Sequence, residues 1–575
     1  MPPRNHGSWK LTQRQSQLEA RLAAHLEMHP LVAAVLVAAG VTDPGQAKAY
    51  LSGSLDSLPD PLALRGMGEA VELVLGALAA GEEILVHGDY DADGICAAAV
   101  LLRTLSRLGG LVHFYIPDRL ADGYGVSERA VRAAARRKIP LLVTVDCGIT
   151  AHEEIALAKS LGCRVIVLDH HEPDPDLPEA DVVVAPRLPD WEYTCAEMPA
   201  AALALRFVQA LGNRVGDDTL WAKDLVELAA VGIVADVAPM EGENRIIVRA
   251  GLDRLPHSPL PGLRALQELA AVKAPVRAYD VGFRIAPRIN AVGRLADAGD
   301  ALELLLTDDD DKARRLALYL DGKNRERQQI QQQIYNQAVR MLGAHPELLE
   351  MPVLVLHSDT WHVGVVGIVA SKIAEDFGRP AVLLGSADGL ACGSARSVAG
   401  FDITAALRSC GHLLIRCGGH SMAAGLTAEV SKIEDLRRAL EAYCELVGTG
   451  EALAEVPGRV AIPVMSEELD ETIADDLARL EPFGPGNPEP LFALCGLEVV
   501  EARTVGRDNS HLKLVLTDGA RALAAIGFRM GNGDKPKPGD HIDVCFVPET
   551  DNYWGKPQLQ LRLVAWEHSG TRGRH

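Results

Sequence analysis

The chain has 575 residues, 48% apolar and 23% charged, the balance of a folded protein of several domains rather than of a disordered chain. Lysine and arginine total 57 against 78 acidic residues, a net charge of −21, which excludes one continuous basic surface but leaves room for a basic groove on an acidic body. The ten cysteines form no C-x-x-C pair, the apolar stretch Leu31–Ala39 is far short of the ~20 residues of a bilayer span, and MPPRNHGSWK has no apolar signal core; a cytoplasmic, multi-domain protein is expected.

Residues 1–55 carry a Gln-rich and then Ala/Leu-rich helical pattern. From Met67 onward, helices alternate with short apolar strands. Helices are predicted at Gly68–Ala80, Ile95–Leu108, Ser127–Lys138 and Ala151–Leu161, and strands at Glu83–His87, Val112–Ile116, Leu141–Val145, Arg164–Leu168 and Val182–Ala185. Continuous apolar strands separated by helices indicate an α/β fold with a doubly wound parallel sheet, covered on both faces. A long polar helical pattern, Asp311 to Leu342, bridges to a second α/β unit with the strand Val353–Leu356, the helix Val365–Asp376 and the strand Ala381–Leu384. Gly-rich turns are predicted around Gly393 and at Gly418-Gly419. Beyond Pro457, the strands Leu497–Val505, His511–Leu516, Ala522–Phe528, His541–Val547 and Gln558–Val564 suggest a small C-terminal β-barrel. The expected division is a helical segment over 1–55, a catalytic domain over 56–310, a connecting helix over 311–345, a second α/β domain over 346–455 and the barrel over 456–575.

The sharpest chemical feature is His87-Gly88-Asp89-Tyr90-Asp91-Ala92-Asp93-Gly94, three alternating aspartates between a strand and an apolar helix. A helix N-cap explains one aspartate, but three so close repel one another without a cation. A calcium EF-hand is excluded: the loop position that needs Glu is Val100, and the apolar run Ile95–Val100 fills the second half of the loop. Asp146 ends the strand Leu141–Val145, and Asp169-His170-His171 ends the strand Arg164–Leu168. Sites in open α/β sheets form at the carboxyl ends of the strands, so Asp91, Asp93, Asp146 and His170 are aimed at one crevice, with Asp236 placed to close the shell. Carboxylate and imidazole ligands without thiolate favour Mn²⁺ or Mg²⁺, and such a set can hold two ions about 3.5–4 Å apart around a phosphoryl oxygen. His171 alone reads as a packing or capping residue; beside His170 it reads as a group facing substrate phosphate. Cys96, Cys147 and Cys163 read as small core residues.

The spacing of His87, Asp91, Asp93, Asp146, Asp169-His170-His171 and Asp236 resembles the DHH phosphoesterase superfamily. Pro117-x-Arg119 with Gly123-Tyr124-Gly125, the stretch from Arg284 through Arg288 and Asn290 to Arg294, and Trp361-His362-x-Gly364 with the residues up to Ser371 resemble its single-strand-specific 5′→3′ DNA exonucleases. So do Gly393-Ser394-Ala395-Arg396-Ser397 and Gly418-Gly419-His420-Ser421-Met422-Ala423-Ala424-Gly425, and the likeness covers roughly residues 60–565. It implies metal ligation by Asp91, Asp93, Asp146, His170 and Asp236, a neighbouring motif acid at Asp89, a ligand at His87 as in pyrophosphatase relatives, and a phosphate contact at His171. The chain departs from the pattern at Met198-Pro199-Ala200-Ala201-Ala202, where Gly-rich sequence is expected, and at Ala185-Pro186, where asparagine often precedes the proline.

The second α/β unit resembles the DHHA1 domain, with Ser394, Arg396 and His420 as substrate-binding residues beside a Gly-Gly-His phosphate cradle. Arg284, Arg288 and Arg294 read as phosphate clamps, while Trp361 and Met422 read more plainly as packing. The barrel resembles an OB-fold, with Arg503, Arg507, Lys513 and Arg529 supplying charge and Phe528, Tyr553 and Trp554 available as stacking rings or as core. The expected activity is two-metal hydrolysis of single-stranded DNA from the 5′ end in repair and recombination, beside a single-strand-binding protein and a helicase. A phosphatase or nanoRNase acting on very short substrates is the rival enzyme, against which the barrel argues. A non-catalytic nucleic-acid scaffold is the rival from another class, against which the intact acid and histidine set argues.

Overall fold

The computed structural model describes residues 9–119, 122–217, 219–220, 225–387, 389–447, 459–506, 508–531, 534–551 and 558–570. The chain divides into two compact units: residues 54–454 with 484–487, and residues 1–53 with 455–483 and 488–575.

The larger unit begins on the predicted parallel sheet. Its strands lie in the order Leu111–Tyr115, Glu83–His87, Leu141–Val145, Arg164–Leu168, Val182–Val184, all parallel. Ile84, Val86, Val143 and Ile166 pack against helices Met67–Ala79, Ala92–Arg107 and Ala200–Val215. Leu85, Leu142, Val165 and Val167 pack on the opposite side against Glu128–Arg137 and His152–Ser160. Burial on both faces is what selects unbroken Val/Ile/Leu strands. From Glu83–His87 the chain winds first to one side of the sheet and then returns to Leu141–Val145 on the other. The crevice at that reversal is where such sheets hold ligands.

Helix Asp310–Ala344, 35 residues and about 52 Å long, buries Ala313, Ala317 and Leu320 in the first core and Ile334, Ala338 and Leu342 in that of the second lobe. The second lobe's sheet runs Leu414–His420, Ala423–Glu429, Leu390–Arg396, Ala381–Ala387, Leu354–His357. Here the structure corrects the sequence reading: Gly393 and Gly418-Gly419 are strand residues, not turns. A Cβ on Gly393 would stand 2.0 Å from the Leu383 carbonyl oxygen, so close strand approach, rather than chain reversal, requires the glycine.

In the smaller unit, strands Phe492–Val505, His511–Thr517, Ala522–Gly527, Gln558–His568 and His541–Asp551 close into a five-stranded barrel when the last pairs with the first. The predicted barrel stands, and two further strands extend it: Trp9–Leu11 lies parallel to Arg459–Pro463, which adjoins Phe492–Val505. The segment read as helical therefore also contributes a strand, and its helices Ser16–Leu26, Pro30–Ala38 and Pro44–Ser52 share one core with the barrel, Leu31 and Val32 in the same cluster as Phe492 and Phe546. Arg507, Tyr553 and Trp554 lie outside the described residues. No single helix among the described residues is long and apolar enough to cross a membrane.

Candidate active site

The metal crevice is built from strand ends and helix starts. Helix Ala92–Arg107 begins three residues earlier than its apolar pattern suggests, because Asp91 caps it, accepting from the amides of Asp93 (3.0 Å) and Gly94 (3.1 Å). Asp93 thus falls in the first helical turn, where the amides of Ala200 (2.7 Å) and Ala201 (3.0 Å) hold its two oxygens. That gives the Ala-rich departure a role: it starts a helix whose first amides clamp a metal-facing acid. Asp146 sits in the left-handed region, φ 64°, unusual for a residue with a side chain. A Cβ on Gly94 would come 2.9 Å from its Oδ2, so only glycine lets the carboxylate lie over that helix start.

Carboxylate and imidazole atoms gather in three groups, each within 4.8 Å: Asp89, Asp91 and Asp146; Asp146, His170 and His171; Asp93, His170 and Asp236. Asp146 and His170 each belong to two groups, and His170 Nε2 lies 3.1 Å from Asp146 Oδ1. Burial, reinforced by the neighbouring acids, holds Asp89 and Asp146 well above the usual carboxylate range. Loss of water and the charge of Asp236 push Asp93 up to about 7; Asp236 also rises to about 7, from loss of water and the charge of Asp91. Burial and the adjoining His171 lower His170, which favours the neutral, ligating imidazole. Asp89 Oδ1 is buried and has no hydrogen-bond partner among the described residues. Crowded acids, a neutral imidazole and an orphaned carboxylate oxygen are what a hard divalent cation fits.

Asp169 is the anchor rather than a ligand. It accepts from the amides of Ile149 (2.9 Å) and His170 (2.8 Å) and from His171 Nδ1 (2.7 Å). Burial lowers the His171 pKa, but the bond to Asp169 and its charge outweigh burial and raise it to about 9, so the ring is a cation at neutral pH. His87 stands apart from the three groups. Its Nε2 takes the Ser127 amide (3.1 Å), its Nδ1 faces Cys147 Sγ (3.6 Å), and burial lowers its pKa to about 4. With both ring nitrogens engaged, it supports the crevice floor and does not face an ion.

A second cluster adjoins the first. Arg294 is pushed down to about 9 by burial and by the charges of Arg119, Arg327 and Arg396, while Asp91 acts on it in the opposite sense. Burial also lowers Arg327 and Arg396. Arg119 lies over the Tyr90 ring, 4.2 Å from its centroid, and its Nε is buried without a partner among the described residues. Arg396 bonds Ser394, and Arg294 reaches the Gly364 carbonyl at 3.1 Å. Mutually repelling guanidinium groups beside acids could hold an anion next to a cation. Helix Ala286–Leu295 joins the two: Asn290 Oδ1 accepts from the Ala92 amide (2.8 Å), and a Cβ on Gly293 would meet the Tyr90 carbonyl at 2.4 Å.

Of the residues expected to bind substrate, Arg294, Ser394 and Arg396 meet here. Arg288 does not: it is paired with Asp321 at 2.9 Å. Arg284 pairs with Asp280 (3.2 Å) at the surface. His420 faces Ala423 from the far side of strand Ala423–Glu429, two strands from Arg396. Arg119, Arg327, Asn290 and Tyr124, whose hydroxyl meets His171, were not singled out as site residues, although three of them lie in the motif stretches.

Comparison with known proteins accords with this geometry. Three families match in chain order: the DHH family N-terminal domain over residues 83–233, the DHHA1 domain over 350–446 and the RecJ OB domain over 460–565. The single-stranded-DNA-specific exonuclease RecJ of Bacillus subtilis is 35% identical over 98% of this chain and 72% of its own length. The crystal structure of Thermus thermophilus RecJ with Mn²⁺ matches with a TM-score of 0.83 at 34% identity, covering 98% of this chain and 80% of that one. The same protein with Mg²⁺ matches at 0.77 and 32% identity, covering 98% and 79%. With these acids and imidazoles in one crevice and such likeness along nearly all its length, the chain belongs to the RecJ family of single-stranded-DNA-specific exonucleases.

Proposed function

We propose that this chain is a metal-dependent exonuclease that hydrolyses single-stranded DNA from the 5′ end and uses Mn²⁺ or Mg²⁺. The observation that carries this reading is the adjacency of the acid–imidazole crevice, in which Asp146 and His170 each serve two groups, to the pocket of Arg119, Arg294, Arg327 and Arg396. Asp89, Asp91, Asp93, Asp146, His170 and Asp236 would hold two divalent ions, which when bound polarise the phosphoryl oxygen and lower the pKa of water. The protein's own groups do the rest. The guanidinium pocket binds a terminal phosphate, Ser394 and the Tyr90–Arg119 stack shape its walls, and cationic His171 neutralises charge at the scissile phosphate.

A terminal-phosphate pocket beside the metals supports stepwise removal of nucleotides from a phosphorylated 5′ end. A lane between two lobes spanned by one long helix favours a single strand over a duplex. We assign catalysis to residues 56–310, the connecting helix to 311–345, the DHHA1 domain to 346–455 and single-strand binding to the barrel over 456–575, where Lys513 and Arg529 supply charge. A single-strand-binding protein and a helicase would supply the substrate, and the work is placed in the cytoplasm. The deciding experiment is a time course with Mn²⁺ on strands labelled at either end: a 5′ label leaves first as mononucleotide, and a 3′ label stays on shortening products. Release from the 3′ end first overturns the polarity, and activity in excess chelator overturns the metal centre.

A further inference from the structure

Tyr124 reaches His171 from a stretch of chain with little packing of its own. Its side chain is exposed, and the glycines on either side have positive φ, 83° at Gly123 and 99° at Gly125, with nothing near where a Cβ would stand. Glycine here sets the direction of the chain, swinging it out and back around the tyrosine, and does not serve close approach. No apolar core holds the phenol over the imidazole. Its hold must come from the residues just outside the two glycines.

Asp122 is placed to supply it. Its side chain is 8% exposed. Its Oδ2 accepts from the Tyr115 hydroxyl (2.9 Å), the Asp118 amide (2.9 Å) and Arg129 Nη2 (2.9 Å), and its Oδ1 accepts from Ser127 Oγ (3.1 Å). These donors belong to fixed parts of the fold. Tyr115 ends the strand Leu111–Tyr115, and Ser127 caps the helix Glu128–Arg137, its Oγ accepting from the Ala130 amide (3.3 Å). Ser127 also gives its own amide to His87 on the crevice floor (3.1 Å). Burial alone would raise the Asp122 carboxyl, but these donors and the Arg129 charge bring it below the usual carboxylate range, so the anchor is an anion at neutral pH. Hydrogen bonds to an ionised acceptor are the strong ones, and here they bind a strand end and a helix cap to a carboxylate two residues before Tyr124.

We propose that Asp122 is a positioning residue of the nuclease, which holds Tyr124 on His171 and acts on the reaction through that contact. The inference rests on the exonuclease reading, in which cationic His171 meets the scissile phosphate. A double-mutant cycle tests it on the full chain, with saturating Mn²⁺ and 5′-phosphorylated single strands. Asp122→Ala should lower kcat about tenfold and leave KM within about twofold, since a displaced catalytic contact costs rate rather than affinity. In a Tyr124→Phe background the same substitution should lower kcat no further. Tyr115→Phe, which removes one donor to Asp122 and keeps the ring, should lower kcat about threefold, again with no effect in the Tyr124→Phe background. That second cycle carries the test if Asp122→Ala does not fold. Unchanged kcat in both single variants, or losses that multiply in the double variants, overturns the assignment. Urea midpoints in EDTA read the coupling without cleavage: Tyr124→Phe should lower the midpoint of the natural sequence and leave that of Asp122→Ala or Tyr115→Phe nearly where it is. Equal drops in all backgrounds overturn the positioning role. Coupled midpoints in a chain that never digests DNA would instead mean that the exonuclease reading has failed and the anchor has not.

Discussion

The Tyr124 hydroxyl lies 2.8 Å from Nε2 of His171, whose Nδ1 lies 2.7 Å from Asp169. The imidazole is therefore gripped at both nitrogens. As a cation it donates to the carboxylate on one side and to the phenol oxygen on the other, which leaves the phenol hydrogen free for a phosphate oxygen. The rings meet edge-on, centroids 5.5 Å apart. Tyr124→Phe keeps that ring contact and removes one hydrogen bond to a charged group, worth about 1.5–3 kcal/mol. We expect kcat to fall about tenfold or more with KM little changed, measured as mononucleotide release under saturating Mn²⁺. A rise in KM alone would contradict the assignment.

The crowded acids make the metal-free protein less stable than it could be. Thermal melts in chelator and in excess Mn²⁺ should differ by about 3 kcal/mol for each ion bound when the free ion is at a hundred times its dissociation constant, about 5 kcal/mol for two ions. Asp146→Asn removes a charge that Asp89, Asp91 and Asp93 all oppose. That variant should melt higher than the natural sequence in chelator, lose most of the Mn²⁺-induced shift, and have almost no nuclease activity. A full shift in the variant would remove Asp146 from the ligand set.

The guanidinium pocket should confer a preference for a phosphorylated end. Arg396→Ala, which also releases Ser394, should abolish most of the difference in kcat/KM between 5′-phosphate and 5′-hydroxyl strands, a loss on the order of tenfold or more for the phosphorylated strand. Arg288→Ala, whose guanidinium is committed to Asp321, should leave that end preference in place.

Gly293 is the tightest link between the arginine pocket and the metal loop. A methyl group there would meet the Tyr90 carbonyl oxygen at 2.4 Å, so helix and loop must part. Gly293→Ala should cost roughly 1–3 kcal/mol of stability, as overpacking does, and lower activity more steeply than stability explains. Urea titrations beside kcat/KM would separate the two.

His87 should govern part of the acid sensitivity. Its pKa falls from 6.5 to about 4 on burial, so as pH drops below 6.5 the unfolded chain takes up a proton that the folded chain refuses. Stability is fully present above 6.5 and lost progressively down to about 4, by about 3 kcal/mol in all. His87→Gln, which can still accept from the Ser127 amide, should flatten that part of the stability–pH curve relative to the natural sequence.

Much of this was readable from the chain because it is local. A strand followed by spaced aspartates announces its own crevice, and the unbroken apolar strands fixed the parallel sheet in advance. What escaped is non-local. Arg327 sits in an ordinary polar stretch of the long helix and gains meaning only where that helix brings its charge to bear on Arg294. Asn290 is one asparagine among many until its side chain reaches the Ala92 amide, 198 residues away. Gly393 and Gly418-Gly419 mislead because glycine in a short window reads as reversal; all three lie in paired strands, and only the neighbouring strands reveal that Gly393 and Gly419 permit close contact. The strand Trp9–Leu11 is three residues long, and its partner begins 450 positions later.

That last pairing bears on how the polypeptide matures on the ribosome. Helices Ser16–Leu26, Pro30–Ala38 and Pro44–Ser52 emerge first, but their apolar side chains belong to a core completed only by Phe492, Phe546 and Leu561. The intervening 54–454 can collapse on its own while the opening segment stays greasy and unsheltered. Nascent-chain holdases should therefore engage the first fifty residues longest, and removing them should leave the barrel prone to clump even though every crevice ligand is intact.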